Sequence, residues 1–218
     1  MPKATETVLE IDLNSLAHNY NFLRSKLTPS TKFMAVVKAF AYGSDAITIA
    51  KKLESLEVDY FAVAYANEGV ALRTGGIETP ILVLHPLVAN FESIIDCSLE
   101  PSIYSTKILK EFMEVATRKN QKDYPIHLKF NTGLNRLGFG EMDLKIIAEH
   151  LLNTTVVRVA SVFSHLAASE DKSERTFTLN QIAHFEKIAH NLGNNLGYNP
   201  IKHILNTSGI INHPEAQF

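Results

Sequence analysis

The chain has 218 residues, 45% of them hydrophobic and 20% charged, enough to bury a substantial core in one large domain or two small ones. Its formal net charge is -2, with acids and bases interspersed, so no long-range field draws it to nucleic acid or to an anionic membrane surface, and a small polar molecule is the expected partner. Cys97 is the only cysteine, which excludes an intrachain disulfide and a thiolate metal cage, and no apolar run approaches the roughly 18 residues of a membrane span, so the expected compartment is the cytoplasm.

In chain order, Val8 to Leu13 alternates apolar and polar residues like a leading strand, and Asp12 or Asn14 can cap a helix from Ser15 to Lys26, stopped by Pro29. Seven short apolar runs follow: Lys32 to Lys38, Asp59 to Ala64, Pro80 to Leu84, Glu100 to Tyr104, Ile126 to Phe130, Val157 to Phe163 and Lys202 to Leu205. Several are apolar on consecutive positions, as a strand covered on both faces should be. Between them, stretches such as Asp45 to Leu56 and Thr106 to Lys119 place apolar residues three and four apart, the spacing of crossover helices. A series of βα units closes into a barrel or opens as a doubly wound sheet. No glycine-rich dinucleotide fingerprint follows the first strand, so the expected fold is an α/β (β/α)8 TIM-type barrel. Closure takes eight strands and about 250 residues, so the chain reads as one barrel domain over residues 1–218, cut after about seven strands.

In such a barrel the chemistry sits at the C-terminal ends of the strands. The polar residues found there are Lys38 with Tyr42 and Gly43, Lys129 with Arg136, Ser164 with His165, and Asn206-Thr207-Ser208-Gly209. Lys38 follows the apolar Ala35-Val36-Val37. A desolvated lysine facing a cavity is a natural Schiff-base former, whereas a lysine at an open strand end merely snorkels to water. Tyr42 reads either as a phosphate ligand or as a ring packed over the mouth, and Arg136 either as a site cation or as an exposed residue paired with a surface acid. His165 stands out among nine histidines only by its place at a strand end; the other eight read as structural. His184 and His190 lack the three- or four-residue spacing of helical metal ligands, so no catalytic metal is expected. A bare Asn-Thr-Ser-Gly turn is common in loops and is weak evidence for a phosphate site.

Together these segments resemble the alanine racemase family. Lys38-Ala39-Phe40-Ala41-Tyr42-Gly43 is similar to its signature Lys-Ala-x-Ala-Tyr-Gly, Lys129 to Phe139 resembles its strand-five loop, Ser164-His165-Leu166-Ala167 its strand-six end, Asn206-Thr207 its Asn-Ser pair, and Leu9 to Asn14 its N-terminus. The resemblance implies a homodimeric enzyme that uses pyridoxal 5'-phosphate (PLP) to interconvert L- and D-alanine for cell-wall peptidoglycan precursors. Lys38 would hold the cofactor and serve as acid/base on one face of the substrate, Tyr42 would bond the phosphate, and Arg136 the phenolic oxygen. Lys129 matches a lysine that many members carbamylate to hold that arginine, and His165 a histidine alongside the pyridine ring. Asn206, Thr207 and Ser208 would line the phosphate, with Thr207 standing where the family usually has serine. Asn131 and Asn135 replace an acid and a glycine of the strand-five motif.

The family's Arg-x-Gly turn, its eighth strand and its C-terminal β-domain have no counterpart in the sequence up to Phe218, so only one catalytic face is expected here and little activity from the chain alone. The alternative of a different class is a non-catalytic, single-barrel PLP-binding protein, which has about this length. Against it stand the Tyr42-Gly43 continuation and the Thr132-Gly133-Leu134-Asn135-Arg136 loop.

Overall fold

A computed structural model describes residues 7–218. The strands are β1 (Met34–Val36), β2 (Tyr60–Val63), β3 (Ile81–Val83), β4 (Glu100–Ile103), β5 (Tyr124–Lys129), β6 (Val157–Phe163) and β7 (Ile201–His203). They form one seven-stranded sheet in sequence order, every pairing parallel. All seven expected runs became strands, each within about two residues at its ends. The sheet curls as a half-barrel, with β1 and β7 as its edges among the described residues.

The helices are α1 (Leu13–Arg24), α2 (Lys38–Gly43), α3 (Ala46–Glu54), α4 (Ala66–Thr74), α5 (Phe91–Asp96), α6 (Thr106–Arg118), α7 (Leu144–Leu152), α8 (Arg175–Leu196) and α9 (Thr207–Asn212). In α6, Ser105 caps the N-terminus by accepting from the Ile108 N–H, and Ile108, Leu109, Phe112, Val115 and Ala116 form the stripe turned to the sheet. Phe112 is fully buried, edge-on to Phe91 of α5, and such burial contributes about 2 to 3 kcal/mol. The main core lies between sheet and helices. A second, small apolar cluster of Ala62, Leu82 and Phe163, joined by Met34 and Leu84, covers part of the concave face, so β1, β2, β3 and β6 carry apolar residues on both sides.

Two sequence expectations are corrected. Residues 8–12 form no leading strand: Val8 and Leu9 are 56% and 65% exposed, and no described strand lies alongside to complete a backbone ladder. Alternation describes side chains only; without a neighbour for the backbone it makes no sheet. The helix that follows starts at Leu13 rather than Ser15, because Asp12 is the cap and accepts from the Asn14 and Ser15 N–H groups at 2.8 and 3.1 Å. Those bonds and the Ser15 hydroxyl hold the Asp12 carboxyl below its ordinary range.

One irregularity positions the interior. The register of β5 and β6 slips between Ile126 and His127, so that Ala160 is passed over and Ser161 comes opposite His127, with Lys129 opposite Phe163. Without that bulge, every residue of β6 beyond it would face the other side of the sheet.

Candidate active site

The mouth of the half-barrel is built from the C-terminal strand ends, and Lys38 opens it. Straight after β1 the backbone enters a left-handed turn: Ala39, Phe40, Ala41 and Tyr42 have φ of 51, 55, 52 and 59°. Such a conformation costs an L-residue roughly 1–2 kcal/mol. It persists because its ends are tied down. The Ala41 N–H donates to the Val37 carbonyl (3.0 Å) and the Ser44 N–H to the Phe40 carbonyl (2.8 Å). The Glu68 carboxylate accepts from the Ala39 N–H (2.6 Å) and, with its other oxygen, from Ala64 and Tyr65 N–H (2.7 and 3.0 Å), pinning the turn to the end of β2. Lys38 is half-buried, with its Nζ 5.9 Å from the centre of the exposed Tyr42 ring. Glu68 was not among the residues expected at the site. Its signal is an acid three residues into a helix, the pattern that caps a helix start.

Lys129 ends β5 and is buried, with its Nζ 5.7 Å from the Phe163 ring. Burial first, then the charges of Arg136 and Lys38, pull its pKa down from 10.5 to about 8. The strand then enters a loop that returns beside itself: the Phe139 N–H donates to the Lys129 carbonyl and the Asn131 N–H to the Phe139 carbonyl, both at 2.9 Å. Gly138 makes this return possible. A Cβ there would stand 2.6 Å from the Asn131 nitrogen, and its φ of +135° is glycine's own. Asn131 and Asn135, the two departures from the family loop, have clear work. Asn131 Oδ1 accepts from the Gly133 and Asn135 N–H groups, as a carboxylate would, and Asn135 holds φ +54°, where asparagine is the usual substitute for glycine.

Arg136 lies on that loop, exposed, with no carboxylate partner among the described residues. His165 follows β6 and reaches solvent at one side, yet its pKa is lowered by desolvation and by Arg136, Lys129 and Lys38 together. The structure thus brings Lys38, Lys129, Arg136 and His165 within mutual electrostatic range. Every charge that shifts Lys129 or His165 is positive.

At the end of β7, the Asn206 side chain is committed: its Oδ1 accepts from the Gly209 N–H (2.9 Å) as the cap of α9 and from the Ser169 hydroxyl (2.6 Å). Thr207 is exposed and Ser208 half-buried, and no hydrogen bond among the described residues joins either to the four basic side chains. Asn206 therefore orients the turn. His127 and His203, read from sequence as unremarkable structural histidines, are instead members of a polar chain on the concave face, one layer below Lys129.

The family pattern described as "Alanine racemase, N-terminal domain" matches residues 11–218. "Alanine racemase 1" of Caldanaerobacter subterraneus subsp. tengcongensis is 34% identical over 209 residues, which is 94% of this chain and 53% of that protein. The alanine racemase of Thermodesulfovibrio yellowstonii is 34% identical over 212 residues, 96% of this chain and 56% of its own. Among solved structures, the Clostridium difficile alanine racemase complexed with cycloserine superposes with a TM-score of 0.90 at 30% identity, over 95% of this chain and 57% of its own. The chain spans a little over half the length of these relatives. With the half-barrel and the lysine at the end of β1 in place, the chain belongs to the family of alanine racemase N-terminal domains.

Proposed function

We propose that this chain is the PLP-binding barrel domain of a racemase that interconverts L- and D-alanine. The observation that supports it most is the gathering of basic side chains at the mouth, where every charge that shifts Lys129 or His165 is positive. Such a cluster is costly without an anion, and the phosphate and phenolate of PLP supply one. The residues suit that group. Lys38 would hold it covalently, Arg136 would bond its phenolic oxygen, and Tyr42, Thr207, Ser208 and the backbone amides of the β7 turn would meet its phosphate. His165 would lie along the ring. Bound PLP supplies an electron sink for the charge that develops at the substrate's α-carbon.

The rest is the work of the protein's own groups. The Nζ of Lys38, as free amine, takes and returns the α-proton on one face of alanine. The left-handed turn and Glu68 fix the direction from which that amine approaches. Lys129, with a pKa of about 8, is partly neutral near pH 8, which is the form that adds carbon dioxide. Carbamylated, it would become an anion beside Arg136 and relieve their repulsion. Homodimerisation, a cytoplasmic setting and supply of D-alanine for the cell wall come with the family reading.

Borohydride reduction after incubation with PLP, followed by peptide mapping, tests the cofactor assignment. The label is expected on Lys38 and absent in Lys38→Ala; a label on Lys129, or none, overturns it. In D2O, Lys38→Ala should slow exchange of the alanine α-proton by about 10² to 10⁴, because losing an acid/base group costs that much; exchange unchanged in the variant would refute the role of Lys38.

A further inference from the structure

Below the basic mouth, with His127 one residue deeper than Lys129 on the same face of β5, a continuous polar chain crosses the concave side of the sheet. The Tyr60 hydroxyl on β2 donates to Glu100 Oε2 on β4 (3.2 Å), and the same oxygen lies 2.6 Å from His127 Nε2 on β5. His127 Nδ1 is 2.6 Å from Ser161 Oγ on β6, which in turn is 3.1 Å from His203 Nε2 on β7. The side chains of Glu100 and His127 are only 12% and 2% exposed, and Ser161 is 3% exposed. The His203 ring stacks on Phe163, centroids 4.7 Å apart and 4° from parallel, on the ring that also faces Lys129 Nζ. The remaining charged neighbours are Lys129 above and Arg73 of α4, whose guanidinium interacts with Glu100. Carboxylate, imidazole and hydroxyl stand in the order of a hydrolase triad, but a serine this buried offers no nucleophile to a substrate.

The donors and acceptors along this chain follow once His127 carries a single proton. An ionised carboxylate only accepts, so His127 must donate from Nε2. With one proton on that ring, Nδ1 is an acceptor and takes the Ser161 hydroxyl proton. Ser161 Oγ must then accept from His203, which requires the His203 proton on Nε2. Burial holds the pKa of His203 down at about 3, so the ring stays uncharged. Its Nδ1 has no partner among the described residues.

We infer that Glu100, acting through His127 and Ser161, fixes His203 as the Nε2–H tautomer and leaves its Nδ1 as a lone-pair acceptor for an N–H or O–H donor of whatever occupies the mouth. His203 is in this sense a positioning residue, whose hydrogen-bonding character is set from the far side of the sheet. The mouth then offers basic groups to an anion and, on β7, one neutral acceptor to a donor. The occupant itself rests on the PLP reading above; the tautomer does not.

Histidine-selective ¹⁵N labelling and two-bond ¹H–¹⁵N spectra at pH 8 test it. In the unmodified protein both His127 and His203 should be Nε2–H. Ser161→Ala should leave His127 unchanged and release His203 into a mixture of tautomers, while Glu100→Gln should mix both. Glu100→Asp, which keeps an acceptor-only group, should restore the fixed state and covers the case in which Glu100→Gln fails to fold. An Nδ1–H tautomer at His203, or a His203 indifferent to Ser161→Ala, overturns the inference. In PLP titrations followed by visible absorption, Ser161→Ala should weaken binding by about three- to tenfold, the worth of one hydrogen bond. Affinity within about twofold of the unmodified protein overturns the role in the mouth. If the unmodified protein takes up no PLP, the cofactor reading fails instead, and the spectra still decide the tautomer.

Discussion

The two inner layers of the half-barrel are both polar, but they satisfy their polar groups in opposite ways. In the upper layer, Lys129 and His165 are shifted only by positive charges, those of Lys38 and Arg136 and, on His165, of Lys129. In the lower layer, Tyr60, Glu100, His127, Ser161 and His203 hold one another at 2.6 to 3.2 Å. Groups that complete each other specify the structure; groups left in want of a counter-charge mark where a ligand belongs. On β5 the two layers are one residue apart on the same face, Lys129 above His127, so there the satisfied layer is the floor on which the unsatisfied one stands.

The contrast can be broken most forcefully from below. Glu100→Ala leaves a buried imidazole and a tyrosine hydroxyl without their acceptor and should cost about 3 to 5 kcal/mol in urea unfolding; a loss under about 1 would show the lower layer to be dispensable. Next in size is the pH dependence of the upper layer. Lys129 has its pKa depressed to about 8 in the fold against 10.5 unfolded, so between those values the unfolded chain binds more protons. Stability should therefore rise with pH from about 8 to 10.5, by on the order of 3 kcal/mol, and Lys129→Met should flatten that rise. Inorganic phosphate should stabilise the unmodified protein more at the acid end of the window, where Lys129 carries more of its charge. Gly138→Ala, at the strand-five loop, meets the Asn131 nitrogen and an unfavourable φ, and should lower stability by about 1 to 3 kcal/mol together with PLP affinity. Arg136→Ala is the smallest change to the fold, within about 0.5 kcal/mol because the side chain is exposed and unpaired, while PLP binding should fall by about tenfold or more. An equal loss of stability and binding would erase the distinction between the layers.

Much of this was legible in the sequence. The β-branched runs and the three-and-four spacing between them placed seven strands and their crossovers, because a strand buried on both faces and a helix buried on one have few alternative patterns. The motif residues Lys38, Lys129, Arg136 and His165 were found at strand ends, where the sheet gathers them. What stayed hidden depends on distant partners. The handedness of Ala39–Tyr42 is not written in Ala-Phe-Ala-Tyr, which favours an ordinary helix, but is enforced by Glu68, which lies 29 residues beyond Ala39. The pairing of His127 with Ser161 depends on the bulge at Ala160, which no local composition signals. Val8 to Leu13 failed for the converse reason: its pattern suited a strand, but nothing lies beside it.

The turn after Lys38 carries one more consequence. Over Ala39–Tyr42 the usual ranking of helix formers runs backwards, since the positive φ values that penalise L-residues are those a mirror-image residue prefers. Glycine, the residue that weakens other helices, would be the least strained replacement, and D-alanine would sit there more comfortably than L-alanine. In a protein proposed to interchange those two molecules, the lysine proposed to do so is followed by four residues whose own backbone favours the other hand.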